Sequence, residues 1–475
     1  MSAAPLPTTP LPTLAEAGRR IAAGELSPVA LTEAALGRAM ALNERLSAFI
    51  EITAERARAA ARRAEREIAG GRRRGPLHGI PYGLKDIYDA AGLRTTAHSK
   101  LLLDNVAAED AATTARLEAA GMVLIGKLAT HEFATGGPAW DLPFPPARNP
   151  WNPEHFTGGS SSGSGAAVAA GILPLTMGSD TGGSIRLPAA YCGVVGLKPT
   201  YGRVSRRGVV PLAYSLDTCG PLTWTVEDSA LALQALAGHD PRDPGSADVP
   251  VPDYRSALRA GVAGLRIGYA RGFNGDAGVE AEQAAALDAA AQVLAGLGAE
   301  IVEVALPPND HFQAVARTIS HGESFSIHQD DLRRRPQDYA RVTRERLMLG
   351  AFVTAAQYNR AQRLRRVLTA RVDALFDSCD VLLTAAITGP APVLEETDTG
   401  PWRKQQPITS VFNVTSHPAL AQPCGFAANG LPLSVQFVGR AFDESTVLRV
   451  GHAYEQAAGW TRRRPEIAIL PALKP

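Results

Sequence analysis

The sequence predicts a large α/β domain, and three features carry that prediction. Helical and strand-like segments alternate along most of the 475 residues, as in "AATTARLEAAGMVLIGKLA", where a helix pattern, a glycine and an apolar run follow one another. Hydrophobic residues make up 45% and charged residues 20% of the chain, which is ordinary for a globular protein. No repeat or linker divides the sequence, so we expect one domain over residues 1–475.

Taken in order, the elements begin with helices in residues 1–70, one of which should start at Ser27–Pro28. Small residues at 165–170 predict a helix, and the apolar run 172–177 predicts a buried strand. Residues 312–376 are mostly helical and arginine-rich, and we expect them to form a side lobe. The runs "DVLLTAAI" and "LPLSVQFVG" predict late core strands before a closing helix.

Charge and apolar patterning argue against several classes of protein. The net charge of +1 gives no general attraction for nucleic acid or anionic lipid. The longest apolar stretch, 166–177, is shorter than the ~18–20 residues that a membrane helix needs. The N-terminal sequence has no signal-peptide pattern. The four scattered cysteines have no metal-ligand spacing. We therefore expect a cytoplasmic protein without a metal or cofactor.

Lysine is rare in this chain, which draws attention to Lys85. Only six of the 48 basic residues are lysines, and the other 42 are arginines. Lys85 lies among apolar neighbours in "GIPYGLKDIY". A buried lysine can lose its proton, whereas arginine cannot. Lys85 is therefore a candidate general base.

Two stretches rich in glycine and serine are separated by the predicted helix and strand. The first, "FTGGSSSGSGAAVAAG" at 156–171, has the composition of a flexible linker, but a linker should not run directly into an apolar helix. Residues 159–163 also satisfy G-x-S-x-G, the nucleophile elbow of α/β-hydrolases. That motif requires a strand directly before it, whereas here a proline-rich loop precedes it.

The second stretch, "GSDTGGSIRLP" at 178–188, favours a third interpretation. Two glycines before Ser184 allow successive backbone N–H groups to converge, as an oxyanion hole requires. Ser184 is then the candidate nucleophile, with the N–H groups of Thr181, Gly182, Gly183 and Ser184 as donors. We expect Asp180 and Arg186, which flank the loop, to hold its shape.

The block 158–205, which contains both stretches, closely resembles the signature of the amidase signature family. Segments such as "GIPYGLKDIYDAAGLRTTAHS" and "NVTSHPALAQPCGFAANGLPLSVQFVGR" also look like family segments in the right order. The resemblance implies a mixed central β-sheet covered by helices on both faces, with the catalytic core at 76–240. It also implies a Ser–cis-Ser–Lys triad, with Lys85 as base, Ser160 as the bridging serine and Ser184 as the acyl-forming nucleophile.

One departure from the family pattern affects the first loop, where Ser162 stands at a position at which glycine is common. This leaves Ser161 as a second choice for the bridging role. By analogy with the family, we otherwise expect Ser161 to hydrogen-bond within the triad.

The resemblance further implies substrate-pocket walls from segments 131–137, 386–392 and the surroundings of Phe412, with Phe133, Thr135, Gly136 and Ile387 as lining residues. The residues in these segments are small and apolar, which favours a neutral or aryl-bearing amide, anilide, urea-type or carbamate substrate. Residues 335–368 resemble the stand-alone amidases, so we expect a small-molecule amidase that works as a monomer or homodimer, without nucleic acid or membrane. The alternative is the A subunit of a tRNA-dependent amidotransferase, with partner subunits, ATP and aminoacyl-tRNA.

Overall fold

A computed structural model of the chain describes residues 9–397 and 408–467. Eleven strands in these residues form one sheet in the order β1-β3-β2-β4-β6-β5-β10-β11-β9-β7-β8. Their bounds are β1 Phe49–Ile52, β2 Pro81–Lys85, β3 Val123–Leu128, β4 Leu175–Asp180, β5 Val195–Lys198, β6 Thr218–Thr223, β7 Arg266–Tyr269, β8 Glu300–Glu303, β9 Val381–Ala385, β10 Ala419–Phe426 and β11 Pro432–Val438. The single sheet confirms the large α/β domain.

Fourteen α-helices in the described residues surround this sheet. Their bounds are α1 Leu14–Ala22, α2 Pro28–Leu46, α3 Ala54–Ala69, α4 Ala112–Ala119, α5 Ser162–Ala169, α6 Arg186–Cys192, α7 Val226–Leu236, α8 Arg271–Asp276, α9 Ala281–Gly296, α10 Asn309–Arg334, α11 Arg341–Met348, α12 Ala355–Leu375, α13 Val411–Val414 and α14 Glu444–Ala458. The sheet is mixed, since β2 runs parallel to β3 and β4 while β4, β6, β5, β10 and β11 pair antiparallel.

Local sequence signals account for several helix ends. The Ser27 side chain accepts a hydrogen bond from the Ala30 N–H and so caps α2, with Pro28 at the first helical position, as predicted. Thr354 and Gln357 form a capping box at the start of α12. The predicted helices in the first seventy residues and in 312–376 are present, although the short strand β1 interrupts the first group.

The predicted bounds around the serine-rich stretches were wrong. The helix predicted at 165–170 starts earlier, at Ser162. The strand predicted at 172–177 begins later, after Pro174, because proline has no N–H to donate to a neighbouring strand. The strand also continues through Gly178, Ser179 and Asp180, because these residues pair with β6. The second glycine–serine stretch therefore begins inside a core strand.

The parallel pairing of β2 with β4 brings the ends of these two strands close together. Gly83 is opposite Thr176 and Leu84 is opposite Met177, so Lys85 and Gly178–Asp180 lie at the same edge of the sheet. The carboxyl ends of parallel strands commonly carry functional side chains. No helix in the described part of the chain is long and apolar enough to cross a membrane.

Candidate active site

Lys85 ends strand β2 and is completely buried. Its Nζ atom lies 2.6 Å from the Ser160 Oγ and 2.8 Å from the Ser179 Oγ. Burial lowers the pKa of Lys85 to about 7, although Asp217 and Asp180 act in the opposite direction. Near neutral pH a large fraction of this amine is therefore uncharged and can accept a proton from Ser160.

The loop before α5 brings Ser160 to Lys85. The Gly159–Ser160 peptide bond is cis. The Ser161 N–H donates to the Ser184 carbonyl at 3.2 Å, which ties this loop to the loop that carries Ser184. The Ser161 hydroxyl donates to the Ser179 carbonyl at 3.3 Å and accepts from the Ser179 N–H at 3.3 Å. Ser161 thus links the segments that carry Ser160, Ser179 and Ser184.

Ser179 was missed by sequence reasoning, although its hydroxyl contacts Lys85 directly. The sequence of β4 does not alternate between buried and exposed positions, because all six residues of that strand are buried, and so it did not single out Ser179. The only available signal was its place in the same loop motif as Ser184. The structure gives Lys85 two hydroxyl neighbours, Ser160 and Ser179, and these hold its amine in one position.

Strand β4 ends at Asp180, which organises the glycine loop that follows it. The Asp180 carboxylate accepts hydrogen bonds from the backbone N–H groups of Gly183 at 2.8 Å, Ile185 at 3.1 Å and Arg186 at 3.3 Å. The Gly183 N–H is therefore engaged by Asp180, which removes it from the predicted set of oxyanion donors. Thr181, Gly182 and Ser184 remain as candidate donors.

Arg186 is fully buried beside Asp180 and binds both carboxylate oxygens, at 3.0 and 2.8 Å. Its other donors reach the Thr409 carbonyl and the side chains of Gln436 and Asn413 at 2.6–2.7 Å. Burial by itself would raise the pKa of Asp180, but the Arg186 charge and its hydrogen bonds lower that pKa to about 2. Asp180 and Arg186 are therefore placed to stabilise the conformation of the loop.

A cavity of about 620 Å³ opens above the serines and is lined by Ser160, Ser184, Thr181 and Gly182. Of the predicted pocket residues, Thr135, Gly136 and Ile387 line it. Phe133 and Phe412 lie elsewhere. The Phe133 ring packs at 4.4 Å from the His328 ring, in the interior between the 132–134 turn and α10, and Phe412 is fully buried in α13.

The cavity wall is more polar than the sequence predicted. Helices α10 and α11 contribute Arg317, Glu345 and Arg346 to the lining, together with Gln313. The expectation of pocket walls without charge considered only the segments 131–137 and 386–392 and the surroundings of Phe412, and it omitted the helical segment that contributes these residues. The lining therefore includes charged groups of both signs, and Glu345 also pairs with Arg341 at 3.2 Å. The described residues contain no His, Cys, Asp and Glu group that could hold a metal ion.

The chain is similar to several known proteins in sequence and in structure. A sequence profile of the family described as Amidase matches residues 30–448. The A subunit of the glutamyl-tRNA(Gln) amidotransferase of Roseiflexus sp. (strain RS-1) is 42% identical, over 96% of this chain and 98% of its own. A solved structure described as a vestigial protein complex that reveals the origins of an s-triazine catabolic enzyme is 38% identical, with a TM-score of 0.88, covering 94% of this chain and 98% of its own.

A second solved structure, the peptide amidase of Stenotrophomonas maltophilia, is 34% identical with a TM-score of 0.83, covering 96% of this chain and 98% of its own. The first relative contradicts one expectation from the sequence. Its name describes one component of an enzyme whose substrate is a tRNA. The expectation of a monomer or homodimer that acts on a small molecule without nucleic acid is therefore wrong. A net charge near zero did not exclude such a role, because another component of a complex can bind the nucleic acid.

Proposed function

The chain belongs to the amidase (amidase signature) family, and on that premise we propose that it is the amide-hydrolysing component, the A subunit, of a glutamyl-tRNA(Gln) amidotransferase. The observation that carries the proposal is the 42% identity to such a protein over nearly the full length of both chains. In this role the chain releases ammonia from glutamine, and the complex transfers it to the glutamyl group on the tRNA. Four buried free thiols suit the reducing cytoplasm, where we place this reaction.

The charged groups at the cavity support glutamine as the ammonia donor. Arg317 and Arg346 line the same cavity as the serines and can bind an α-carboxylate, while Glu345 can bind an α-ammonium group. The cavity volume of about 620 Å³ is within the usual range for small-molecule sites. We propose that glutamine lies with its charged end at α10 and α11 and its side-chain amide at Ser184.

The proposed reaction begins with neutral Lys85. Lys85 takes a proton from Ser160 while Ser160 takes one from Ser184, and the Ser184 Oγ attacks the amide carbon. The oxyanion is held by backbone N–H groups of Thr181, Gly182 and Ser184. The C–N bond then breaks, its electron pair stays on nitrogen, and the nitrogen takes a proton from Ser160 as it leaves as ammonia. Ser160 recovers its proton from Lys85. Water finally hydrolyses the glutamyl ester of Ser184.

The experiment that tests this function separates ammonia release from ammonia use. An affinity-tagged chain recovered from its source cells should bring partner subunits with it. With ATP and glutamine, that complex should convert glutamyl-tRNA(Gln) to glutaminyl-tRNA(Gln). The same complex carrying Ser184→Ala should fail with glutamine and recover activity with an ammonium salt, because only the release step needs Ser184.

A different result would contradict the proposal. Recovery of the chain without partners, together with hydrolysis of simple amides and no change in the tRNA, would make it a hydrolase in its own right. Loss of activity with both glutamine and ammonium in Ser184→Ala would show that Ser184 acts elsewhere in the reaction.

A further inference from the structure

His131 lies against the loop that carries Ser160, but the proposed reaction does not use it. Its backbone N–H donates to the Ser160 carbonyl at 3.1 Å. A Cβ atom added to Gly159 would lie 1.9 Å from the His131 Cε1, so only glycine leaves room for the ring at this point. The imidazole is therefore packed directly against the Gly159–Ser160 peptide.

The ring of His131 forms part of the wall of the reactive cavity. It lines that cavity together with Ser160 and Ser184, and it stacks on Phe156 with a centroid distance of 5.8 Å and an interplanar angle of 15°. Its Nε2 atom is shielded from water and has no hydrogen-bond partner among the described residues. A shielded polar atom without a partner is costly, so each one requires an explanation. At the edge of a reactive cavity, a polar substrate atom is the natural partner.

The charge state of His131 decides what it can do there. Burial lowers the pKa of His131 to about 3, and Lys85, His98 and Arg346 act in the same direction. The ring is therefore neutral near pH 7, with one N–H donor and one lone pair. A neutral ring does not compete with Lys85 as the base, but it can accept a hydrogen bond.

The reaction itself specifies which substrate atom lies nearby. The leaving nitrogen takes its proton from the Ser160 Oγ, so that nitrogen must lie beside Ser160 when the C–N bond breaks. We propose that His131 is a substrate-binding residue whose imidazole accepts a hydrogen bond from the N–H of the leaving amide, which turns the nitrogen lone pair towards Ser160. This contact selects amides over esters, because an ester oxygen carries no hydrogen to donate. It rests on the proposed amide hydrolysis at Ser184.

Two substrates that form the same glutamyl-enzyme separate this role from a structural one. Glutamine and the γ-methyl ester of glutamate differ only in the leaving group, and their acyl-enzymes are hydrolysed identically. In His131→Leu, kcat/KM for glutamine should fall about tenfold more than kcat/KM for the ester. In His131→Gln, the side-chain carbonyl can accept the same hydrogen bond, so most of the glutamine activity should return.

Equal losses on both substrates would overturn the inference, since they would show that His131 only supports the Ser160 loop. Unchanged glutamine activity in His131→Leu would overturn it as well. Wild-type enzyme that hydrolyses the ester but not glutamine would instead contradict the proposed function, independently of any His131 variant. Ester hydrolysis by His131→Leu also serves as the test that the variant is folded.

Discussion

The Lys85 Nζ lies 2.6 Å from the Ser160 Oγ, although 74 residues separate them in the chain. The parallel pairing of β2 with β4 and the tie from Ser161 to Ser184 bring these two groups together. The buried amine has a hydroxyl within proton-transfer distance.

Replacing Lys85 with arginine should abolish most of the activity while keeping a positive charge. The proposed role needs a neutral amine, and guanidinium stays protonated at any workable pH. Loss of a general base costs roughly 10²–10⁴-fold in kcat. Initial rates of ammonia release from glutamine measure the loss. Lys85→Met controls for packing, and circular dichroism confirms folding. If folded Lys85→Arg kept more than about a tenth of the wild-type kcat, Lys85 would be structural only.

The rate of glutamine hydrolysis should depend on pH in a direction set by Lys85. Its pKa is lowered to about 7 because it is buried, so the amine is protonated and inactive below that pH and neutral above it. The kcat/KM for glutamine should therefore rise through about pH 7 and level off at higher pH. A stopped assay between pH 5 and pH 9 measures this profile. A rate that falls over the same range would mean that the protonated form of Lys85 is the active one.

Ser179→Ala should lower kcat and leave KM nearly unchanged. The Ser179 hydroxyl lies 2.8 Å from Lys85 and positions its amine, so its loss should cost about tenfold. Ser164→Ala is a matched control, since it removes another buried hydroxyl, one that bonds the Met177 carbonyl instead. Steady-state kinetics of both variants provide the test. Equal kcat values in the two variants would show that Ser179 does not position the Lys85 amine.

Asp180→Asn should destabilise the fold strongly. It would leave the Arg186 guanidinium buried without its counter-charge, a change that typically costs about 3–5 kcal/mol in the free energy of unfolding. Urea denaturation measures this free energy. The exposed Glu25→Gln, which changes the charge equally, should stay within about 0.5 kcal/mol of wild type. A shift of the same size in both variants would show that Asp180 does not support the loop.

The sequence predicted those parts of the fold that local chemistry determines. Ser27 and Pro28 start α2 because a hydroxyl cap and a fixed φ act within one turn. Strands β5 and β6 were not predicted, and they pair with each other through residues more than twenty positions apart. Strand β10 was not predicted either, although it pairs with the predicted strand β11 as well as with β5. The length of β4 was misjudged because glycine and aspartate usually mark turns, whereas here pairing with β6 keeps them extended.

The residues of the site that belong to the family motif could be predicted from the sequence. Lys85, Ser160 and Ser184 came from the family pattern, and the structure brings Lys85 and Ser160 into contact. Ser179 was missed because its neighbours come from other segments of the chain, and His131 was predicted only as part of the wall segment 131–137. The charged wall was missed because Arg317 and Arg346 reach the cavity from helices more than 130 residues beyond Ser184.

In the proposed reaction, Ser184 carries the acyl group during hydrolysis of glutamine. The most direct measurement is peptide mass spectrometry of enzyme that is denatured during steady turnover of glutamine. We expect a glutamyl adduct on the peptide that contains Ser184, and none in Ser184→Ala. A glutamyl adduct on Ser160 or Ser161, or continued turnover by Ser184→Ala, would contradict it.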